Sequence, residues 1–291
     1  MAVGLVDEEG CVLHSYVEHW RSLEKDSVIN TVINAARRYL NYNPVAVGVN
    51  IPGLADAQNG IWLESCFSGI SNIPIVSILS NAFKLPVFID NDVNNCALAE
   101  NMFGACQNTS DFIWLTVSNG CGGALFLNGR VYNGVRNTAG ELGHITVEQR
   151  AEYALLCGCG NRGCLEAQAA GPGIAKRYFA LTGRNADAES VADMANSGDT
   201  AAQKVYNDEG VYIGRALAAV INTITPQKVI LGGGVVNSFE LFEPSMTETI
   251  QCHTYRLASQ HVRVEKTYLG YYAALIGAAS IAISNTKKRY V

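Results

Sequence analysis

The segment Gly140-Glu141-Leu142-Gly143-His144, followed a dozen residues later by Cys157-Gly158-Cys159-Gly160-Asn161-Arg162-Gly163-Cys164-Leu165-Glu166, concentrates the chemistry of this chain. Three cysteines fall within eight positions and are separated by glycines, so their thiolates can wrap one ion. His144 is close enough in sequence to add a nitrogen ligand. Three sulfurs and one imidazole suit tetrahedral zinc, and a complete set of four protein ligands (His144, Cys157, Cys159, Cys164) reads as structural rather than catalytic. The alternative is a set of incidental reduced thiols in a glycine-rich loop. Of the other six cysteines, Cys11, Cys66, Cys96, Cys106, Cys121 and Cys252, most are expected as small buried fillers. An odd total of nine fits poorly with a disulfide framework.

The surrounding chain is that of a folded protein. Its 291 residues are 48% hydrophobic and 16% charged, which excludes intrinsic disorder and allows one large domain or two moderate ones. Lys plus Arg number 21 against 26 Asp plus Glu, a net charge of −5, which argues against a dedicated nucleic-acid binder. No apolar run approaches a membrane span, and the opening Met1-Ala2-Val3-Gly4-Leu5-Val6-Asp7 carries no secretory signal. The expectation is a cytoplasmic protein with no membrane association, where thiols stay reduced.

Working outward, apolar runs and helical spacings alternate. Ala2 to Val6 and Cys11 to Val17 read as a hairpin, and Ser27 to Leu40 as a helix with apolar residues at Val28, Ile29, Val32, Ile33, Ala36 and Leu40. Val45 to Ile51 and Leu85 to Ile89 read as buried strands; Pro74 to Phe83 and Asp92 to Phe103 read as helices. Phe112 to Val117 and Ala124 to Leu127 are strands flanking a Ser118 to Gly123 turn. Thr200 to Thr225 is a long helix stopped by Pro226; Lys228 to Leu231 is a strand running into Gly232-Gly233-Gly234. Phe239 to Ile250 and Ala273 to Ile283 are helices, with a strand at Val262 to Lys266. This alternation predicts an α/β architecture with largely parallel sheets. The boundary between lobes is placed after Phe103, giving lobes at 1–104 and 105–291. The loop from Asp56 to Ile73 shows no period.

The Gly140 to His144 segment and the Cys-Gly-Cys-Gly-x-x-Gly-Cys-x-Glu run together resemble the signature of the ROK family, which groups bacterial sugar kinases with sugar-responsive repressors. Ile51-Pro52-Gly53, Asn91-Asp92, the Gly120 to Gly123 turn and Gly232 to Gly234 occur in that family's order. The resemblance implies an actin-like ATPase (ribonuclease H-like) duplicated fold of two α/β lobes with a central cleft, the last helix packing back on the N-terminal lobe. It also implies ATP-dependent phosphorylation of a hexose or N-acylhexosamine hydroxyl at carbon 6, with Mg²⁺ accompanying ATP, in a homodimer.

Phosphoryl transfer to a hydroxyl needs a carboxylate that accepts its proton. Asp92, after a buried strand and at the start of a helix, is the candidate base; the competing reading is a helix N-cap, and the two roles can coexist. The resemblance assigns Asn91, Asp92, Glu141, His144 and Glu166 to the sugar, with zinc bracing His144 and Glu166. Carboxylates suit hydroxyl pairs because each accepts two hydrogen bonds. Ser118, Asn119, Gly120, Gly122, Gly123, Gly232, Gly233 and Gly234 are the candidate nucleotide contacts, although ordinary turns also use glycine.

Two departures stand out. Asn119 occupies the place of a threonine in the family's phosphate turn, and no Asp-x-Gly-Gly-Thr phosphate loop occurs anywhere in the sequence. Loss of the strand preceding that loop would expose sheet edges on both sides. Either the polypeptide starts upstream of Met1 or the chain is a degenerate member that uses ATP poorly. The alternative function is a non-catalytic sugar-binding ROK protein, either a degenerate kinase or a regulator. The first forty residues contain no pair of short basic helices of the helix-turn-helix kind.

Overall fold

The computed structural model describes residues 1–20, 22–65 and 69–288; Cys66, expected as a buried filler, lies outside them. In chain order the elements are β1 (Ala2–Val6), β2 (Val12–Val17), α1 (Lys25–Arg37), β3 (Val47–Ile51), β4 (Gly53–Asp56), β5 (Ile61–Ser65), β6 (Ser71–Ile73), α2 (Ile75–Phe83), β7 (Val87–Asn91) and α3 (Asp92–Phe103). Then follow β8 (Phe112–Val117), β9 (Cys121–Leu127), β10 (Arg130–Val131), α4 (Leu165–Ala169), α5 (Gly171–Thr182), α6 (Ala188–Asn196), α7 (Thr200–Ile224), β11 (Lys228–Gly232), α8 (Phe239–His253), α9 (Arg256–Ser259), β12 (Arg263–Lys266) and α10 (Ala273–Lys288). They gather into two compact units. The first holds Met1–Asn108, Asn133–Ala139 and Tyr268–Val291; the second holds Thr109–Tyr132 and Gly140–Thr267.

Within the first unit, β1 pairs antiparallel with β2 and β3 pairs parallel with β7. The segment that showed no period in sequence forms a three-stranded antiparallel sheet, β4-β5-β6. Its strands are short, and the β4–β5 register shifts at Leu54/Ala55, which breaks any alternation. The terminal helix α10 packs on α3 and β3. Its small residues permit this: a side chain on Gly48 of β3 would collide with the Ala278 carbonyl of α10. A cavity of about 740 Å³, mostly apolar, is lined by residues of β1, β3, α1 and α10 and reaches Asp92.

The second unit is built on one mixed sheet, order β10-β9-β8-β11-β12. Parallel pairing is confined there to β8, β11 and β12, because β9 and β10 return by tight hairpins. Ile113, Leu115 and Val117 of β8 join Val205, Ile213 and Leu217 of α7 and Phe242 of α8 in one core. Each such side chain, fully buried, contributes roughly 1.5–3 kcal/mol. Helix α7 starts where Asp199 accepts the N–H groups of Ala201 and Ala202, and stops where Thr225 turns left-handed (φ 52°) before Pro226.

Glu148 stabilises this unit from within. It is 2% exposed and accepts bonds from Arg150 Nη2 (2.5 Å), Nε (2.9 Å) and backbone N–H (2.9 Å). The Arg150 guanidinium, reinforced by Arg215, holds its carboxyl down at about 2, against an ordinary 4.5. A depressed folded-state value means stability is present above pH 4.5 and lost as pH falls toward 2. Half of the pair is solvent-exposed through Arg150, so we expect a loss of about 1–3 kcal/mol over that window. In urea titrations at neutral and acid pH, Glu148→Gln should lower the neutral midpoint and flatten the acid decline; an unchanged acid slope would contradict the assignment.

Candidate functional site

The His144 and cysteine segments are drawn together by backbone pairing. Leu165 N–H donates to Ile145 O (2.8 Å), Val147 N–H to Gly163 O (2.8 Å), and Thr146 bridges Cys164 antiparallel. The stretch after His144 is thereby zipped to the stretch leading into α4. Cys157 N–H donates to Asn161 O (2.8 Å) and Gly160 N–H to Cys157 O (3.0 Å), closing the tight loop that presents Cys157 and Cys159. The ligand atoms of His144, Cys157, Cys159 and Cys164 lie within 4.8 Å of one another.

These distances test the fit of a metal. Cys157 Sγ is 3.7 Å from His144 Nδ1, and Cys159 Sγ is 3.7 Å from Cys164 Sγ. A tetrahedron with zinc–sulfur bonds of about 2.3 Å and zinc–nitrogen bonds of about 2.0 Å has edges of roughly 3.5–3.8 Å. Burial pushes the Cys164 thiol up to about 12 and raises Cys157, while the Asn161 N–H lowers the exposed Cys159. A bound cation would offset the cost of gathering three thiolates there. The remaining cysteines divide: Cys96, Cys106 and Cys121 are buried fillers, whereas Cys11 and Cys252 are exposed. Cys11 follows the Asp7–Gly10 turn and Cys252 sits in the last turn of α8, where a small side chain reaches no core.

Two of the candidate sugar ligands, Glu141 and Glu166, stand beside this cluster. Glu141 precedes a short 3₁₀ turn, Leu142–His144, and its Oε2 is 3.9 Å from His144 Nε2. With Nδ1 turned to the thiolates, the second ring nitrogen of His144 faces the Glu141 carboxylate. Glu166, in the first turn of α4, accepts the Cys121 N–H through Oε2 (3.1 Å), and its Oε1 is 3.8 Å from Cys157 Sγ. A Cβ at Gly120 would stand 2.8 Å from Glu166 Oε2, so the carboxylate would have to shift to admit it. Gly120→Ala is therefore expected to displace this carboxylate and weaken sugar affinity roughly tenfold with little change in melting temperature. Calorimetric titration of the folded variant checks this, and wild-type affinity would refute it.

The two glycine-rich turns are neighbours. β8 and β11 are parallel, with Gly232 opposite Thr116, so Ser118–Gly120 and Gly232–Gly234 both leave the carboxyl ends of adjacent strands, where α/β sheets place ligands. Ser118 O accepts the Gly171 N–H at the start of α5 (2.8 Å). The first turn is shorter than its glycines suggest. Cys121, Gly122 and Gly123 already belong to β9, paired with Val117, Thr116 and Leu115. Gly122 and Gly123 are thus strand residues, and a Cβ on Gly123 would collide with Leu142. At Gly123 the missing side chain makes room for Leu142.

In the first unit, the N-cap of α3 is Asn91, not Asp92. Asn91 Oδ1 accepts the N–H groups of Val93 (2.9 Å) and Asn94 (3.2 Å), and its Nδ2 donates to Gly53 O (2.9 Å). The Asp92 carboxylate accepts the Val93 N–H (3.0 Å). Burial raises the Asp92 carboxyl above the usual range, opposed by that N–H. Asp90 is raised likewise by burial and is bound by Asn94 Nδ2 (3.0 Å), which also contacts Asn133. Asp90, Asn94 and Gln168 are buried here but carried no signal in sequence, since isolated amides and acids are usually surface residues.

Among the described residues no helix is long and apolar enough to cross a membrane. Comparison with known proteins bears on family and fold. The chain is 28% identical over 287 residues to a xylose repressor of Bacillus spizizenii, covering 97% of this chain and 73% of that protein. It is similar to a solved ROK hexokinase from Thermus thermophilus (31% identity, 99% and 95% of the two chains, TM-score 0.82). It is also similar to a ROK family glucokinase from Streptomyces griseus in complex with glucose and AMPPNP (26% identity, 96% and 94%, TM-score 0.82). The fold is accordingly the actin-like ATPase fold of the ROK sugar kinases. The similar proteins thus include both sugar kinases and a repressor. With a match to the family that runs over residues 1–285, the chain belongs to the ROK family.

Proposed function

We propose that the chain is an ATP-dependent sugar kinase acting on a hexose or N-acylhexosamine, with transfer to the hydroxyl at carbon 6. The observation that carries this reading is the contact between Glu166 and the turn ending at Cys121: a candidate sugar carboxylate touches a candidate phosphate turn within one unit. Phosphoryl transfer needs those two functions side by side. The hexokinase and glucokinase similarities support the same class.

In this reading Glu141, His144 and Glu166 accept and donate hydrogen bonds to ring hydroxyls, and Asn91 offers its remaining amide N–H. Asp92 accepts the proton of the attacking hydroxyl. A new oxygen–phosphorus bond forms as the bond from the γ-phosphorus to the bridging oxygen breaks, its electron pair leaving with ADP. A raised carboxyl value suits a base that must hold this proton during transfer. The substrate is the Mg²⁺ complex of ATP, and Ser118, Asn119, Gly120 and Gly232 to Gly234 line its phosphates and nucleoside. Zinc held by His144, Cys157, Cys159 and Cys164 supplies only rigidity, fixing His144 and Glu166.

The second reading, a sugar-binding member without turnover, is favoured by the repressor similarity. A coupled ADP-release assay against a sugar panel separates the two, run on this chain and on one extended upstream by about a dozen residues, enough for a turn and a strand. Sugar-dependent ADP release in either form supports the kinase. Sugar binding with no ADP release in both contradicts it.

A further inference from the structure

Gln168 is fully buried (0% exposed), yet neither the sugar chemistry nor the ligand set uses it. It lies on α4, one helical turn after Cys164, so its side chain shares a face with that ligand. Its Nε2 donates to Tyr153 O (3.0 Å), and its Oε1 accepts the Leu155 N–H (3.4 Å). One buried amide thus takes both a carbonyl and an N–H of the segment 153–155, as a neighbouring strand would. The other side of that segment is held by Gly163, whose N–H donates to Leu155 O (2.9 Å). Two residues further on is Cys157.

The helix carrying Gln168 has five residues, too few to hold its own geometry. Arg177 reinforces it: Nε donates to the Gln168 carbonyl (3.1 Å), Nη1 to Val205 O (2.8 Å), and Nη2 to the buried Glu209. A rigid path runs from α7 through Arg177 and Gln168 to the Cys157 loop. The loop thus depends on this side chain through its hydrogen bonds, while the Gln168 main-chain carbonyl ties the helix that follows Cys164 to Arg177.

We infer that Gln168 is a positioning residue of the metal centre, which sets the distance of the Cys157 loop from Cys164. This rests on the zinc assignment in the proposed function. Gln168→Met keeps length and packing while removing both hydrogen bonds. It should weaken zinc binding about tenfold or more, the loss seen when supports behind metal ligands are removed. The measurement is zinc competition against a chelating indicator, on wild type and variant. Gln168→Glu keeps the acceptor for Leu155 and, protonated in its buried site, restores the donor; it should recover most of the affinity and serves as the readout should Gln168→Met fail to fold, since it then loses affinity as pH rises relative to wild type. A purely structural glutamine would lower the melting temperature with and without zinc alike and leave affinity within about twofold. Wild-type zinc affinity in both variants overturns the inference alone, whereas a wild-type protein that binds no zinc overturns the zinc assignment with it.

Discussion

Replacing Asp92 by asparagine should lower kcat by about 10²–10⁴-fold while sugar affinity stays within roughly threefold. The expectation follows from how little else Asp92 does. Asn91 caps α3 with two accepted N–H bonds, so the helix start does not depend on the Asp92 carboxylate. Asparagine preserves size and can still accept the Val93 N–H, but it cannot take up the hydroxyl proton. A fall in kcat with unchanged melting temperature places Asp92 on the chemistry. Full turnover would refute its role as base, and a large loss of stability would make it a structural residue. Asn91→Ala gives the contrasting result, a loss of about 1 kcal/mol of stability from the broken cap.

Removing zinc should act on stability and binding together. Chelation, or Cys159→Ser, is expected to lower the melting temperature by several degrees and to weaken sugar binding about tenfold or more. The ligand loop has no hydrophobic core of its own: Leu156 is 60% exposed, and Cys159 is exposed at its tip. Backbone pairing to Gly163 and Asn161 and the Gln168 side chain hold it, and Glu166 sits two residues beyond Cys164. Loss of the ion lets three thiols relax and takes Glu166 away from the Cys121 N–H. Elemental analysis should find about one zinc per chain in purified protein, as expected of a closed four-ligand site. Its absence, or sugar affinity indifferent to chelation, would defeat the brace.

The gathering of His144 with Cys157, Cys159 and Cys164 was legible because these residues are near in sequence and their type is rare; no long-range folding had to be guessed. The strands β3, β7, β8 and β11 were legible as apolar runs that end in proline, glycine or polar residues. What escaped were features set by contacts. The glycines at 122 and 123 suggest a turn, but Leu142 presses on the strand there, and only the fold shows it. The sheet of β4, β5 and β6 hides behind a register shift and a left-handed Asn72 (φ 52°). Gln168 and Arg177 look like ordinary helix residues until burial and partners are known. The cap of α3 fell on Asn91 rather than Asp92, a difference of one residue that frees the carboxylate.

The central claim is phosphoryl transfer to a sugar hydroxyl, and the position of phosphate on the product tests it most directly. Protein, Mg²⁺–ATP and an accepted hexose are incubated, and the mixture is examined by phosphorus–proton correlation spectroscopy. The account predicts a phosphoester signal correlated with the carbon-6 protons, growing with ADP and absent with Asp92→Asn. Free phosphate alone, or no product while sugar is bound, would contradict it.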